Sequence, residues 1–237
     1  MRVYLDEKYV KRRAAIAKWA SILGLAVLGG GFAASIVAPQ LIVVSFGALI
    51  LGFLLSNVGI YYSNRYLRLD RPDVALAQAL KGLDNRYALY QFLLPVSQVL
   101  LEPGGLTACV LKPQEGQILY QDGKWRNKQG WGRLLRWVGQ EGLGKPQQEV
   151  EMAVEALQKW LASQAPDLEV PIRGIVVFTR SNAELTLDNP PVPTMTTSQV
   201  KKWLRKAGKR PDLAEETYEQ LSRLLPDTAA PVDDASA

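Results

Sequence analysis

VSQVLLEPGGLTACVLKPQEGQILYQDGKW, residues 96–125, is the stretch that decides the fold. Residues 98–101 and 106–112 are short apolar runs on either side of Pro103, Gly104 and Gly105. A proline with fixed φ beside conformationally permissive glycines suits a tight turn, so the stretch predicts a β-hairpin. A third short strand is expected over 117–120, between Gly116 and the turn pair Asp122-Gly123. Lys112 falls where the second strand gives way to a loop, a common place for binding groups.

Working outward from the hairpin, residues 87–94 mix aromatic and aliphatic side chains and read as a strand. Val74, Leu76, Ala77, Leu80 and Leu83 recur at helical spacing after Asp73, an acid suited to a helix start, and Asp84-Asn85 ends that helix. Pro146 opens a second helix to about Ser163, with Val150, Ala153, Val154, Leu157, Trp160 and Leu161 as its apolar stripe. Residues 172–179 form a nearly continuous apolar strand, as a sheet covered on both faces requires. Strands alternating with helices define an α/β domain over 72–190.

Asn189, Pro190, Pro191 and Pro193 then make a stiff linker to helices within 191–225. Ser198 is expected to cap one containing Val200, Trp203 and Leu204, and a last helix is expected over 213–225. Lys201, Lys202, Arg205, Lys206, Lys209 and Arg210 read as a solvated basic face, which Glu215, Glu216 and Glu219 would balance. The tail, 226–237, is small, polar and acidic, and is expected to be disordered.

The N-terminal region is of another kind. Residues 1–13 read as a basic cytoplasmic arm, with Lys8, Lys11, Arg12 and Arg13 just ahead of an apolar run over 14–38 that only Lys18 interrupts. A second run, 41–62, carries no charge. Each is long enough to cross about 30 Å of hydrocarbon, so two transmembrane helices joined at Pro39-Gln40 are predicted; the rival for the first run is a signal peptide ending at Ala38. Basic residues flank both outer ends and none occupies the turn, which places both termini in the cytoplasm of an inner membrane. Ala26, Gly30 and Ala34 on the first helix, and Ala48 and Gly52 on the second, are candidates for a close helix contact or for pairing between copies.

Composition excludes much. The 237 residues include no histidine and a single cysteine, Cys109, which removes Ser-His-Asp and Cys-His catalysis, His-ligated metals and an internal disulfide. The net charge is +5, but residues 1–62 hold six Lys/Arg and two Asp/Glu, whereas residues 63–237 hold 22 and 21. Basicity therefore belongs mostly to the membrane-flanking segment rather than to a dedicated nucleic-acid surface.

The hairpin resembles the nuclease-related domain (NERD), a branch of the PD-(D/E)XK nuclease superfamily. In that family a strand opens with an Asp, crosses a Gly-Pro-x-Gly turn and returns through Glu-x-Lys, followed by a Gly, a short strand and a Trp. Laid on this chain without gaps, the turn falls on Pro103 and Gly105, the Lys on Lys112, the Gly on Gly116 and the Trp on Trp125. Ser97 stands at the Asp position and Val110 at the Glu position. A family Glu on the first helix roughly corresponds to Asp73, and Glu149 takes the Gln position of the family's Pro-x-x-Gln at Pro146. Residues 126–144 depart from the family by an insertion rich in Trp and Arg, suited to a membrane interface or to covering the sheet.

The resemblance implies a restriction-endonuclease-like mixed sheet with flanking helices, preceded here by a transmembrane helical hairpin. It also implies a site in which Asp and Glu hold Mg²⁺ and Lys112 assists the attacking water. Mg²⁺ needs carboxylate oxygens, which Ser97 and Val110 do not supply. The expectation is a membrane-anchored binding or scaffold module that lacks nuclease activity and needs no cofactor. The alternatives are a Mg²⁺-dependent nuclease with a carboxylate relocated from Glu102, Glu115, Glu149 or Asp73, and a non-cleaving nucleic-acid or membrane-surface binder using Lys124, Arg126, Lys128, Arg133 and Arg136. The partners expected are the membrane, a protein of unknown identity, nucleic acid under the alternatives, and a second copy through the transmembrane helices.

Overall fold

A computed structural model describes residues 1–67, 71–128, 142–206 and 208–226. The chain forms two compact units. One is an α/β unit that takes in both Met1–Asp6 and the described residues from Pro72 onward; the other contains the helical hairpin of Glu7–Arg71, inserted between them in the chain.

The α/β unit is built on a six-stranded sheet of order β1-β2-β3-β4-β7-β9. Its strands are β1 (Arg2–Leu5), β2 (Ala88–Gln91), β3 (Gln98–Glu102), β4 (Gly105–Lys112), β7 (Ile172–Phe178) and β9 (Thr194–Thr196). The hairpin predicted from residues 96–125 is β3–β4, closed so that Glu102 faces Gly105 across Pro103-Gly104. Gly105 has φ +122°, and a Cβ there would run into the Pro171 carbonyl, so glycine is required at this turn. β4 and β7 pair in parallel from Leu106 opposite Ile172 to Lys112 opposite Phe178, the crossover that a mixed sheet needs.

Alternation along the central strands feeds two cores. On one face Val99, Leu101, Leu106 and Ala108 pack with Leu157 and Leu161 of α4 (Pro146–Gln164) and Leu221 of α6 (Glu215–Leu224). On the other, Leu100, Cys109, Ile175 and Val177 pack with Leu76 and Leu80 of α3 (Pro72–Leu80) and with Val200 and Leu204 of α5 (Thr197–Arg205). The result is a mixed sheet with helices on both faces. Each fully buried Leu or Ile contributes about 1.5–3 kcal/mol, so this double covering is the main source of stability.

Several local expectations are corrected. Residues 2–5, read as part of a polar arm, form an edge strand parallel to β2, with Tyr4 opposite Tyr90. The strand expected over 117–120 is present as β5 (Gly116–Gln121), and it belongs to a separate three-stranded sheet with β6 (Lys124–Lys128) and β8 (Ala183–Leu187). Thr196, not Ser198, caps α5, in a reciprocal capping box with Gln199. The chain after the proline-rich segment returns directly to the sheet as β9. Part of the basic cluster has structural work: Lys201 and Arg205 donate to the Lys81 and Gly82 carbonyls beyond α3, where Gly82 has φ +82°. Of the tail expected to be disordered, residues 227–237 lie outside the described residues.

In the hairpin unit, α1 (Glu7–Val37) and α2 (Ile42–Tyr66) are joined by a 3-10 turn at Pro39–Leu41. At 1.5 Å per residue they run about 46 and 37 Å, enough to cross a bilayer core. Both are apolar nearly all round and bury only a narrow seam, leaving Leu25, Phe32, Ile36, Val43 and Phe46 exposed. That seam differs from the sequence expectation. Val10, Ala17, Gly24 and Gly31 of α1, and Ser45, Gly52, Gly59 and Tyr66 of α2, are buried at seven-residue intervals. A seven-residue repeat keeps one stripe facing its partner when two helices cross at a shallow left-handed angle. Gly52 is in the seam as expected and Ala48 borders it, but Ala26 and Gly30 are exposed. The contact is close: a Cβ on Gly24 would lie 2.7 Å from the Ser56 nitrogen, and one on Gly52 2.8 Å from the Leu28 nitrogen.

Candidate functional site

Lys112, the catalytic candidate read from the sequence, is the last residue of β4. Even-numbered residues of that strand face α4, so Val110 and Lys112 point the same way, and Lys112 meets the first turns of the helix. Pro146 starts α4, Glu149 follows at its amino-terminal end, and Lys112 Nζ lies 2.5 Å from Glu149 Oε1. The same ammonium donates to the Leu143 carbonyl at 2.9 Å. Gly144 passes over the pair at φ +66°, where a Cβ would sit 2.8 Å from Glu149 Oε1 and 3.6 Å from Lys112 Nζ. Nearby, Gln114 Nε2 donates to the Gly142 carbonyl at 3.1 Å. The lysine side chain is 7% exposed and the glutamate 37%, so the pair has one sheltered and one solvated end.

Val110 is half-buried against a cluster that includes Val176, Phe178, Val154 and Leu143. Ser97 is exposed just before β3, and its carbonyl accepts from the Phe92 N–H at 2.8 Å. Val99 lies opposite Ala108; carried two residues outward, this register sets Ser97 level with Val110. Ser97, Val110 and Lys112 therefore gather at one end of β3 and β4. They do not provide metal ligands there: Val110 is apolar, Ser97 offers a single solvent-facing hydroxyl, and the Glu149 carboxylate is committed to Lys112. Among the described residues no three Asp, Glu or Cys side chains gather as a metal set. The donor set does not fit Mg²⁺, which needs hard oxygen ligands.

The other proposed carboxylate residues have contacts of their own. Glu115 receives Asn182 Nδ2 at 3.1 Å and lies 3.8 Å from Arg180 Nε. Asp73 is buried in the first turn of α3, where its carbonyl accepts from Gln91 Nε2. Glu102 pairs with Gly105, at the opposite end of β4 from Lys112, about 23 Å away along the strand.

Glu102 centres a buried cluster that sequence reasoning missed. Arg173 Nη2 donates to both carboxylate oxygens at 2.9 Å, Arg210 Nη2 to one at 2.8 Å, and the Thr107 hydroxyl to the same one. Arg173 also lies 4.5 Å over the Trp203 ring and donates to the Gly208 carbonyl at 2.6 Å. Burial pulls the Arg210 guanidinium below its ordinary value despite the neighbouring Glu102. Both arginines and Thr107 donate to the carboxylate, and further guanidinium N–H groups reach the Gly208 and Pro171 carbonyls, so the cluster clasps the segment after α5 to the β3–β4 hairpin rather than presenting a reactive group. Arg173, a lone charge inside the apolar run of β7, was the available signal.

The basic surface residues are only partly gathered. Lys124, Arg126 and Lys128 lie on the exposed face of β6 in steps of about 7 Å, while Trp125 and Asn127 alternate to the other side. Trp125 packs on Tyr120 with ring centroids 4.8 Å apart. Arg133 and Arg136 lie outside the described residues.

No family model, curated protein or solved structure matches the chain. The molecule is thus defined by its own geometry: a mixed α/β unit interrupted by an apolar helical hairpin.

Proposed function

We propose that this is a membrane-anchored, NERD-like α/β domain without nuclease activity, acting as a binding or scaffold module. The observation that carries the reading is the state of Lys112, which is sheltered, bonded to Glu149 and Leu143, and next to an apolar Val110 where the family places a metal ligand. The alignment of Ser97, Val110 and Lys112 on one sheet face supports the ancestry and, by residue type, speaks against the chemistry. Two exposed apolar helices support anchoring. β1 and β2 flank the hairpin in the chain yet pair in one sheet, which favours two crossings with both flanks on one side; the Lys/Arg bias assigns that side to the cytoplasm of an inner membrane.

The decisive assay incubates the full chain in detergent with DNA or RNA and Mg²⁺ or Mn²⁺. No cleavage above background is expected, and cleavage abolished by Lys112→Ala would overturn the reading. A reporter fused after Ala237 should register in the cytoplasm, and a periplasmic signal would refute the orientation.

A second reading, nucleic-acid binding without cleavage, draws on the row of Lys124, Arg126 and Lys128. It requires affinity that falls steeply with salt through counterion release, and absence of binding at low salt would end it.

A further inference from the structure

We propose that the arginine–tyrosine cluster at the end of the hairpin away from its turn is a headgroup site, taking the phosphate of an anionic phospholipid. The inference rests on the reading of the hairpin as membrane-spanning.

Spacing creates the cluster. Tyr9 and Arg13 are one helical turn apart on α1, as are Tyr62 and Tyr66 on α2, so each pair shares a helix face. The antiparallel hairpin brings the two faces together: Tyr9 meets Tyr66 edge-on at 6.2 Å, and Tyr62 stacks with Tyr66 at 6.0 Å. The Arg13 guanidinium lies 5.0 Å from the Tyr9 centroid and 5.3 Å from that of Tyr62. Its Nη1 donates to the Tyr62 hydroxyl at 2.5 Å. Beside it, Arg65 lies 5.9 Å over the Tyr61 ring.

Among the described residues this cation has no counter-charge. The hairpin helices contain one acid, Glu7, and it is bonded to Lys11 at 2.7 Å. Among the described residues no carboxylate pairs with Arg13. A guanidinium has five N–H donors in a planar fork that matches phosphate, and the Tyr62 hydroxyl occupies only one nitrogen. The position along the helix is also right: the apolar run begins at Ala14, so Arg13 stands at the border of the hydrocarbon, where lipid phosphates lie. A snorkelling arginine would extend freely into water. This one is held between two rings and a hydroxyl, so little rotamer freedom remains to be lost when a phosphate binds.

The test uses the full chain reconstituted into phosphatidylcholine bilayers containing a trace of spin-labelled phosphatidylglycerol or spin-labelled phosphatidylcholine. The motionally restricted fraction of each label gives its relative association with the protein. A preference of about fivefold for the anionic lipid is expected, the contribution of one arginine beside an anionic surface. Arg13→Gln should remove most of it, Tyr62→Phe should weaken it, and Arg12→Gln, at the exposed neighbour, should leave it largely intact. Equal association of both lipids with the unaltered protein would overturn the proposal. So would equal losses in Arg12→Gln and Arg13→Gln, which would mean diffuse charge rather than a built site. A chain that does not enter the bilayers would instead defeat the membrane reading itself, and sedimentation of the vesicles reveals that separately.

Discussion

Tyr4 and Tyr90 stack ring on ring, with centroids 5.0 Å apart and planes inclined by 14°. Tyr4 is in β1 and Tyr90 opposite it in β2, so the contact ties the first strand of the chain to the strand beyond both apolar helices. Tyr4→Ala should destabilise the α/β unit by about 3 kcal/mol, as for other buried aromatic truncations, and lower its thermal midpoint by about 10 °C. Arg2→Ala, on an exposed position of the same strand, should change stability by less than about 0.5 kcal/mol. Circular dichroism melts of the full chain in detergent provide the check, and identical midpoints for the two variants would show that β1 contributes nothing.

The Lys112–Glu149 pair should respond unequally to its two truncations. Lys112→Met leaves a glutamate that is already partly solvated, so the loss should stay below about 1 kcal/mol. Glu149→Ala leaves a sheltered ammonium with only the Leu143 carbonyl, which should cost about 1–3 kcal/mol. The double variant should be more stable than Glu149→Ala alone. Urea titrations arranged as a double-mutant cycle measure the coupling, and additive losses would show that the two groups do not interact.

Cys109 gives the α/β unit a dependence on high pH. Burial, reinforced by the Glu102 charge, pushes its thiol from 9.0 up to about 12. In the unfolded chain the thiol ionises first, so above pH 9 the native state keeps a proton that the unfolded state has lost. Its contribution is therefore complete below pH 9 and declines as pH rises toward 12, by up to about 1.4 kcal/mol per unit. Denaturation at pH 8, 9, 10 and 11 should show a shallower decline for Cys109→Ala than for the unaltered chain. Parallel declines would contradict this account, since other titrating groups are shared by both proteins.

Glycines on the two sides of the hairpin should behave oppositely. A Cβ on Gly52 meets the Leu28 nitrogen at 2.8 Å and the Gly24 carbonyl at 3.0 Å, whereas one on Gly30 meets nothing within 4 Å. Gly52→Leu should therefore separate the helices and shift the SDS concentration that unfolds the hairpin downward. Gly30→Leu should leave it near the original value. Sensitivity at Gly30 equal to that at Gly52 would place the helix contact on the wrong stripe.

The α/β core was legible where pattern and punctuation agreed. Pro103 and the adjoining glycines marked the β3–β4 turn, Pro146 marked the start of α4, and an unbroken apolar run marked β7. β1 was hidden because RVYL is too short to show a period and stands next to a basic stretch. β6 and β8 were hidden for another reason: they alternate charged or polar residues with Trp125, Leu185 and Leu187, and their second face is solvated. The helix seam was misplaced because four-residue spacing was sought where the geometry uses seven. In the candidate site, sequence pointed to Lys112, Ser97 and Val110, and the β3–β4 register sets them at one end of the two strands. Glu149 was visible as a residue, but its contact with Lys112 depends on the β4–α4 crossing, which no local pattern reports.

The pairing of β1 with β2 also sets an order of events during synthesis. β1 leaves the ribosome first, and its partner follows only after α1, α2 and α3 have been made. The sheet therefore cannot close on that side until both apolar helices have been made, and under the proposed membrane reading not until the trailing end of the hairpin is in the compartment of its leading end. A chain cut after Ala38 would lose β1 together with the first helix and leave β2 with an open edge. Unpaired strand edges recruit other chains, so a chain without β1 would carry its own mark for aggregation or clearance.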